Sequence, residues 1–409
     1  MDLLLKNIGL LATPQGNSPH AGDAQKEISL VENAAVGIQD GIIEYAGPAS
    51  SVLSARETID CGGKLVTPGL IDAHTHLVFG GWREKEMGLK LAGVSYLDIL
   101  KQGGGILNTV EHTRKATEDE LAAKAAGLLS EMLKHGTTTC ECKSGYGLSL
   151  EQEMKQLRVA KRLNEAQPVD LVSTFMGAHA VPEEYENNRK GYIELLINEM
   201  LPAVAQSKLG EFCDIFCESA VFTPEESLHI LARAKELGFK LKAHVDEIDP
   251  IGGAEMTAKA GCTSAEHLIQ ASDKGIADMA ANNVIAVLLP ATSFYLDKPF
   301  ARARKMIDEG VAVAVATDFN PGSSPNLNLQ FPMMLACARY RLTPAEALTA
   351  VTLNAAAAIG RAHTAGTVEP GKKADIVLWD APDLEYIFYR YGSNLAHTVI
   401  KDGIVQISR

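Results

Sequence analysis

The stretch Val66-Thr-Pro-Gly-Leu-Ile-Asp-Ala-His-Thr-His-Leu77 decides how this chain is read. An apolar pair, Leu70-Ile71, runs into two histidines separated by one residue. On a strand, residues i and i+2 share a face. His74 and His76 therefore offer two imidazoles to one point, just before Gly80-Gly81 opens a loop. Alone, a His-x-His pair is more often a satisfied core or surface feature than a metal site. Its weight comes from the residues further along the chain.

From that stretch onward, short apolar strands alternate with helical segments. The strands read as Leu65–Ile71, Thr137–Cys142, Asp170–Met176, Phe212–Phe216, Lys240–His244, Thr263–Glu266, Ile285–Leu289 and Val311–Ala316. Helical patterns fall between most of them, at Glu118–His135, Leu150–Asn164, Tyr192–Val204, Pro224–Leu237, Gly252–Ala260, Asp273–Ala281 and Arg302–Glu309. Eight strands with intervening helices predict an α/β fold, a TIM-like (β/α)8 barrel. The two ends of the chain resemble each other: Asp40-Gly41 and Asp402-Gly403 each sit between apolar runs. Asp-Gly is a strong hairpin signal, because a type I′ turn needs positive φ at both central residues. The reading is a small β-sandwich domain built from residues 1–65 and 365–409, with the barrel, residues 66–364, inserted between its halves.

The bulk numbers bound the partners. The chain has 409 residues, 46% hydrophobic and 22% charged, with a formal net charge of −13. That balance disfavours nucleic acid and anionic membranes and leaves a small-molecule substrate. Met1-Asp-Leu-Leu-Leu-Lys-Asn7 lacks the layout of a secretory signal, and seven cysteines fit a reducing compartment, so the expected location is the cytoplasm. Cys140 and Cys142 would share a strand face; they read as reduced core cysteines rather than a soft-metal site.

In a (β/α)8 barrel the functional residues gather at the C-terminal ends of the strands. Read at those ends, the strands supply His74 and His76, the run Lys143-Ser-Gly-Tyr146-Gly, then His179, His244 with Glu247, Glu266-His267, and Asp318-Phe-Asn320-Pro-Gly322-Ser323. His20, His112, His135, His229, His363 and His397 fall elsewhere and take no role. Three histidines and a carboxylate suit one borderline divalent cation, zinc or iron(II). Such an ion lowers the pKa of a bound water.

The motif Thr67-Pro-Gly-Leu-Ile-Asp-Ala-His-Thr-His76, the barrel, Asp318 and the split β-domain resemble the amidohydrolase superfamily. Gly366-Thr-Val-Glu-Pro-Gly-Lys-Lys-Ala-Asp-Ile-Val377 is similar to that superfamily's re-entry into its small domain. Glu141-Cys-Lys-Ser-Gly-Tyr-Gly-Leu148, Gly177-Ala-His-Ala-Val-Pro182, His244-Val-Asp-Glu247 and Asp318-Phe-Asn-Pro-Gly-Ser323 resemble one branch of it, which hydrolyses 4-imidazolone-5-propanoate to N-formimidoyl-L-glutamate in histidine degradation. The resemblance implies one zinc or iron ion on His74, His76, His244 and Asp318. It implies substrate contacts from Arg83, Tyr146, His179, Glu247, Asn320, Gly322 and Ser323. Catalytic roles fall to Asp318, His267 and Glu247, and the family's tendency is a homodimer. The chemistry agrees, since a leaving nitrogen needs a proton and a propionate tail needs a guanidinium fork. Lys143 could suggest the carbamylated lysine of two-metal relatives, but it lies on the second strand rather than the fourth, so one metal is expected. The nearest rival reading is a superfamily deaminase acting on a cytosine- or guanine-like base, which has no need of a cation for a free propionate.

Overall fold

The computed structural model describes residues 1–94, 104–219 and 221–409. A first sheet begins with β1 (Leu3–Thr13), β2 (Ser29–Gln39), β3 (Ile42–Pro48), β4 (Glu57–Asp60) and β5 (Leu65–Pro68). Next come the barrel strands: β6 (Leu70–Asp72), β7 (Thr137–Lys143), β8 (Asp170–Ala178), β9 (Phe212–Cys217), β10 (Lys240–Val245), β11 (Ser264–His267), β12 (Ile285–Leu288) and β13 (Val313–Val315). The chain then returns to the first sheet as β14 (Ile376–Trp379), β15 (Ala396–Lys401) and β16 (Ile404–Ser408).

The first sheet runs β16-β15-β14-β5-β1-β2-β3, with β4 also on β1. One end of β1 pairs with β4 and the other with β5, so the sheet branches there. Leu5, Ile8, Val36, Val66, Ile376 and Ile400 form part of its own apolar cluster. Both Asp-Gly turns have the expected backbone, with φ of 50° and 77° at Asp40-Gly41 and 49° and 75° at Asp402-Gly403. They also touch: a Cβ on Gly41 would lie 2.8 Å from the Asp402 carbonyl oxygen.

The second sheet is wholly parallel, β6 through β13 in chain order. Its strands are buried on both faces; all seven residues of β7 and all four of β12 are buried. Apolar runs of this kind suit a barrel wall covered by helices. The seam between β13 and β6 is closed largely by side chains. Asp72 accepts the Thr317 N–H at 3.0 Å and the Thr317 hydroxyl at 2.6 Å, and above it Thr75 bridges Phe319 in parallel fashion. At the start of β13, the buried Gln25 amide bonds both the N–H and the carbonyl of Val313.

Two readings from sequence need correction. Leu65–Ile71 is two strands, β5 in the first sheet and β6 in the barrel. The apolar pairs Leu65-Val66 and Leu70-Ile71 fall in different sheets, and the chain crosses between them at Gly69, whose N–H donates to Asp375 O at 2.8 Å. A Cβ there would lie 2.3 Å from Thr138 Oγ1, so the crossing is tight enough to need glycine. The helix read as Tyr192–Val204 is part of a longer helical run from Arg189 to Ser207 that widens into a π turn at Leu196–Met200. Pro202 has no N–H to give to the carbonyl four residues back, and the wider turn lies just before it. Among the described residues, no helix is long and apolar enough to cross a membrane.

Gly69→Ala should destabilise the fold by about 1–3 kcal/mol, because the buried, β-branched Thr138 has little room to give way. Denaturant unfolding measures it; an unchanged midpoint would show that the crossing tolerates a methyl group.

Candidate metal centre

Four strands deliver histidines or aspartate to one mouth of the barrel. His74 and His76 follow β6, His244 lies on β10, His267 ends β11, and Asp318 follows β13. Nε2 of His76 and Nε2 of His244 are 3.4 Å apart. Asp318 Oδ1 lies 3.4 Å from His74 Nε2 and 3.7 Å from His76 Nε2. Buried His74 Nε2 has no hydrogen-bond partner among the described residues. Two ligands each ~2.0–2.1 Å from a tetrahedral ion sit ~3.3–3.4 Å apart. His74, His76 and His244 can therefore meet at one divalent cation, with Asp318 Oδ1 beside the first two. His74, His267 and Asp318 form a second, overlapping group of ligand atoms within 4.8 Å of one another.

The rings are aimed from behind. Glu266 Oε2 lies 2.7 Å from His74 Nδ1, and Asp214 Oδ1 lies 3.1 Å from His244 Nδ1. A carboxylate can only accept, so each Nδ1 carries the proton and each Nε2 keeps its lone pair for the centre. Behind the carboxylates lie two buried lysines. Lys143 Nζ meets Asp214 at 2.6 Å and Glu141 at 2.7 Å; Lys242 Nζ meets Glu141 at 3.0 Å and Glu266 at 3.4 Å. Burial alone would depress the Lys143 pKa, but Asp214, Glu141 and Glu266 outweigh it and hold the ammonium charged. Lys143 is thus a structural cation, and the carbamate reading has no support.

Burial, reinforced by Lys143 and the neighbouring rings, holds His74 far below the usual histidine range. Burial and the other histidines do the same for His76 and, with Lys143, for His267. Neutral imidazole is the form that binds metal. Asp318 is pushed up to about 6 by burial, against the hydrogen bond from Thr292 Oγ1 to its Oδ2 at 2.6 Å. Glu247 is pushed up to about 8 by burial and then by the charge of Asp318; its Oε2 lies 3.6 Å from His267 Nε2. His267 and Asp318 hold left-handed backbone, φ 67° and 52°, a conformation that costs energy away from glycine and recurs at functional sites.

The other predicted residues form the walls. His179 stacks on His76 with ring centroids 4.9 Å apart, and its Nδ1 donates to Gly145 O at 3.0 Å. Burial and then His244 pull it down to about 3. The Tyr146 ring lies between His76, His179 and Phe79. Glu153 shapes that loop by accepting N–H groups from Gly145, Gly147 and Leu148. Arg83 reaches the Asp318 side, against Gly322. Asn320 is different: its amide donates to Asp318 O and Ser323 Oγ and accepts from the N–H groups of Gly322 and Ser323. It holds its own loop. The buried thiols of Cys140 and Cys142 lie in the barrel's apolar core, pushed up by burial, with Cys142 at about 12.

Sequence reading missed Asp214, Lys242, Thr292 and the role of Glu266. The available signal was a charge inside an apolar strand: Asp214 between Cys213 and Ile215, Lys242 between Leu241 and Ala243.

The pattern of the amidohydrolase family matches residues 65–405. With barrel, split sheet and histidine–aspartate centre together, the chain belongs to that family of hydrolases. Solved structures agree in fold at low identity. A mutant of the atrazine chlorohydrolase TrzN from Arthrobacter aurescens, complexed with zinc and atraton, superposes with a TM-score of 0.72 at 18% identity, covering 99% of this chain and 95% of that one. An adenosine deaminase from Xanthomonas campestris with bound zinc gives 0.70 at 19% identity, covering 100% and 93%. Curated relatives are much closer in sequence. Imidazolonepropionase from Bacillus cytotoxicus is 54% identical over 413 residues, covering 100% of this chain and 97% of the relative. That from Bacillus velezensis is 52% identical over 412 residues, covering 100% and 98%. Within the amidohydrolases, this chain belongs to the imidazolonepropionase family.

Asp214→Asn should weaken binding of a divalent cation by about 10–100-fold, since the His244 ring loses its anchoring carboxylate. Competition with a chromophoric chelator measures this. An unchanged affinity would mean that Asp214 does not hold the ring.

Proposed function

We propose that this chain hydrolyses the ring amide C–N bond of 4-imidazolone-5-propanoate to N-formimidoyl-L-glutamate, using one zinc or iron(II) ion on His74, His76, His244 and Asp318. The observation that carries the reading is the ligand spacing of 3.4–3.7 Å among imidazoles and Asp318, in a chain 54% identical to an imidazolonepropionase. A cation bound there supplies Lewis acidity, polarising a carbonyl and acidifying water.

The side chains divide the remaining work. Thr292 occupies Asp318 Oδ2, so Oδ1 is the atom turned toward the imidazoles. Asp318 takes a proton from water and returns it to the leaving ring nitrogen. His267, neutral and fixed by its backbone, stands to donate to the developing oxyanion. Glu247, at about 8, keeps its proton at neutral pH and so can donate to the ring. Tyr146 and His179 flank the ring, Arg83 takes the propionate, and Gly322 and Ser323 line the tail side. Asn320 acts by setting the loop that carries them. A deaminase has no task for Arg83, so this guanidinium favours the ring-opening hydrolase.

Three outcomes are expected when loss of the substrate is followed by absorbance. Chelation abolishes turnover, zinc or iron(II) restores it, and metal analysis finds one ion per chain; full activity in metal-free protein would end the proposal. Asp318→Asn, once metal-loaded, loses about 10²–10⁴ in kcat, whereas turnover close to wild type would remove Asp318 from the proton path. Arg83→Ala raises KM by about tenfold or more, and an unchanged KM would place the tail elsewhere.

A further inference from the structure

The tail subsite has a member to which no motif pointed. Glu86, in the helix Glu84–Leu91, takes one side of the Arg83 guanidinium. Arg83 Nε donates to Oε1 at 2.9 Å and Nη2 to Oε2 at 2.8 Å. The two side chains are 10% and 9% exposed, so the pair is nearly dry. Glu86 Oε1 also accepts the Gly105 N–H at 2.7 Å. Across the guanidinium lies the backbone of Gly322, where a Cβ would come 2.0 Å from Arg83 Nη1. The group is therefore clamped in one plane between Glu86 and the loop that carries Asp318.

We propose that Glu86 is a specificity-determining positioning residue, which makes Arg83 read the place and orientation of a carboxylate rather than the charge of any anion. The proposal rests on the assignment of Arg83 to the substrate's propionate. A nearly dry guanidinium without a partner would draw in any small anion. Paired with Glu86 it has little net field, and the Glu86 charge opposes an incoming carboxylate. What it still offers is the set of N–H donors that Glu86 does not take, useful to an acceptor that arrives from one direction. Affinity is given up for discrimination. Orientation matters because the tail sets where the scissile carbonyl stands relative to Asp318, and small misplacements cost rate.

The test uses metal-loaded Glu86→Gln, Glu86→Asp and Arg83→Ala enzymes. KM and kcat are measured for imidazolonepropanoate, and inhibition constants for acetate and for 3-(imidazol-4-yl)propanoate. In Glu86→Gln, KM and the inhibition constant of the ring-bearing carboxylate should rise about tenfold or more. Acetate should inhibit roughly threefold or more tightly, because the guanidinium charge is no longer balanced. A loosened loop would not move the two readouts in opposite directions. Glu86→Asp keeps the charge on a shorter arm, so its KM should rise while acetate inhibition stays at the wild-type level. An unchanged KM in Glu86→Gln, or acetate binding that weakens along with it, overturns the proposal. If Arg83→Ala is impaired and Glu86→Gln is not, Glu86 alone loses its role; a wild-type KM in Arg83→Ala removes the tail assignment and this inference with it.

Discussion

Everything at the mouth of the barrel depends on a chain of charges below it that water does not reach. Lys143 joins Asp214 to Glu141, Lys242 joins Glu141 to Glu266, and the two outer carboxylates hold His244 and His74. All five charged side chains are fully buried. Burying an ion costs several kcal/mol unless a close partner compensates, and removing one member of a buried pair typically costs ~3–5 kcal/mol. Ionic chains are a weak source of stability but a strong source of direction. Here they fix which nitrogen of each ring bears the proton and where its lone pair points.

The loops above the strands are held in a comparable way. Glu153 collects three backbone N–H groups around Tyr146, and Gln156 takes a fourth, from Tyr146 itself, at 3.1 Å. Asn320 spends its whole amide on the turn after Asp318. On the other side, Lys124 donates to Gly81 O and lies 3.7 Å from the centroid of Phe79, steadying the segment that ends in Arg83. Each of these side chains is committed to holding a loop.

Much of this was legible in the sequence. Eight strands could be placed because buried parallel strands are short apolar runs separated by helical periodicity. The residues at their ends could be named because barrel topology brings such ends together. Asp40-Gly41 and Asp402-Gly403 were legible because one turn type demands positive φ at both residues. Gly69 was not, since its need is steric and is set by Thr138, far off in sequence. Glu86, Asp214 and Lys242 escaped for a related reason: a lone charge in a strand or helix acquires meaning only from the oppositely charged group it faces. Asn320 was placed in the substrate site by resemblance, and its hydrogen bonds within the turn were not legible in the sequence.

The pairing of β5 with β14 joins Leu65 to Trp379 and Pro68 to Ile376, residues about 300 positions apart. During synthesis β5 emerges with β1 to pair with, but its other edge waits until the roughly 300 residues leading to β14 have been made. Through that interval the half-built sheet presents an open row of backbone donors and acceptors, the kind of edge that recruits strands from other chains. The nascent sheet therefore stays open to misassembly along β5, and the arrival of β14 brings that period to a close.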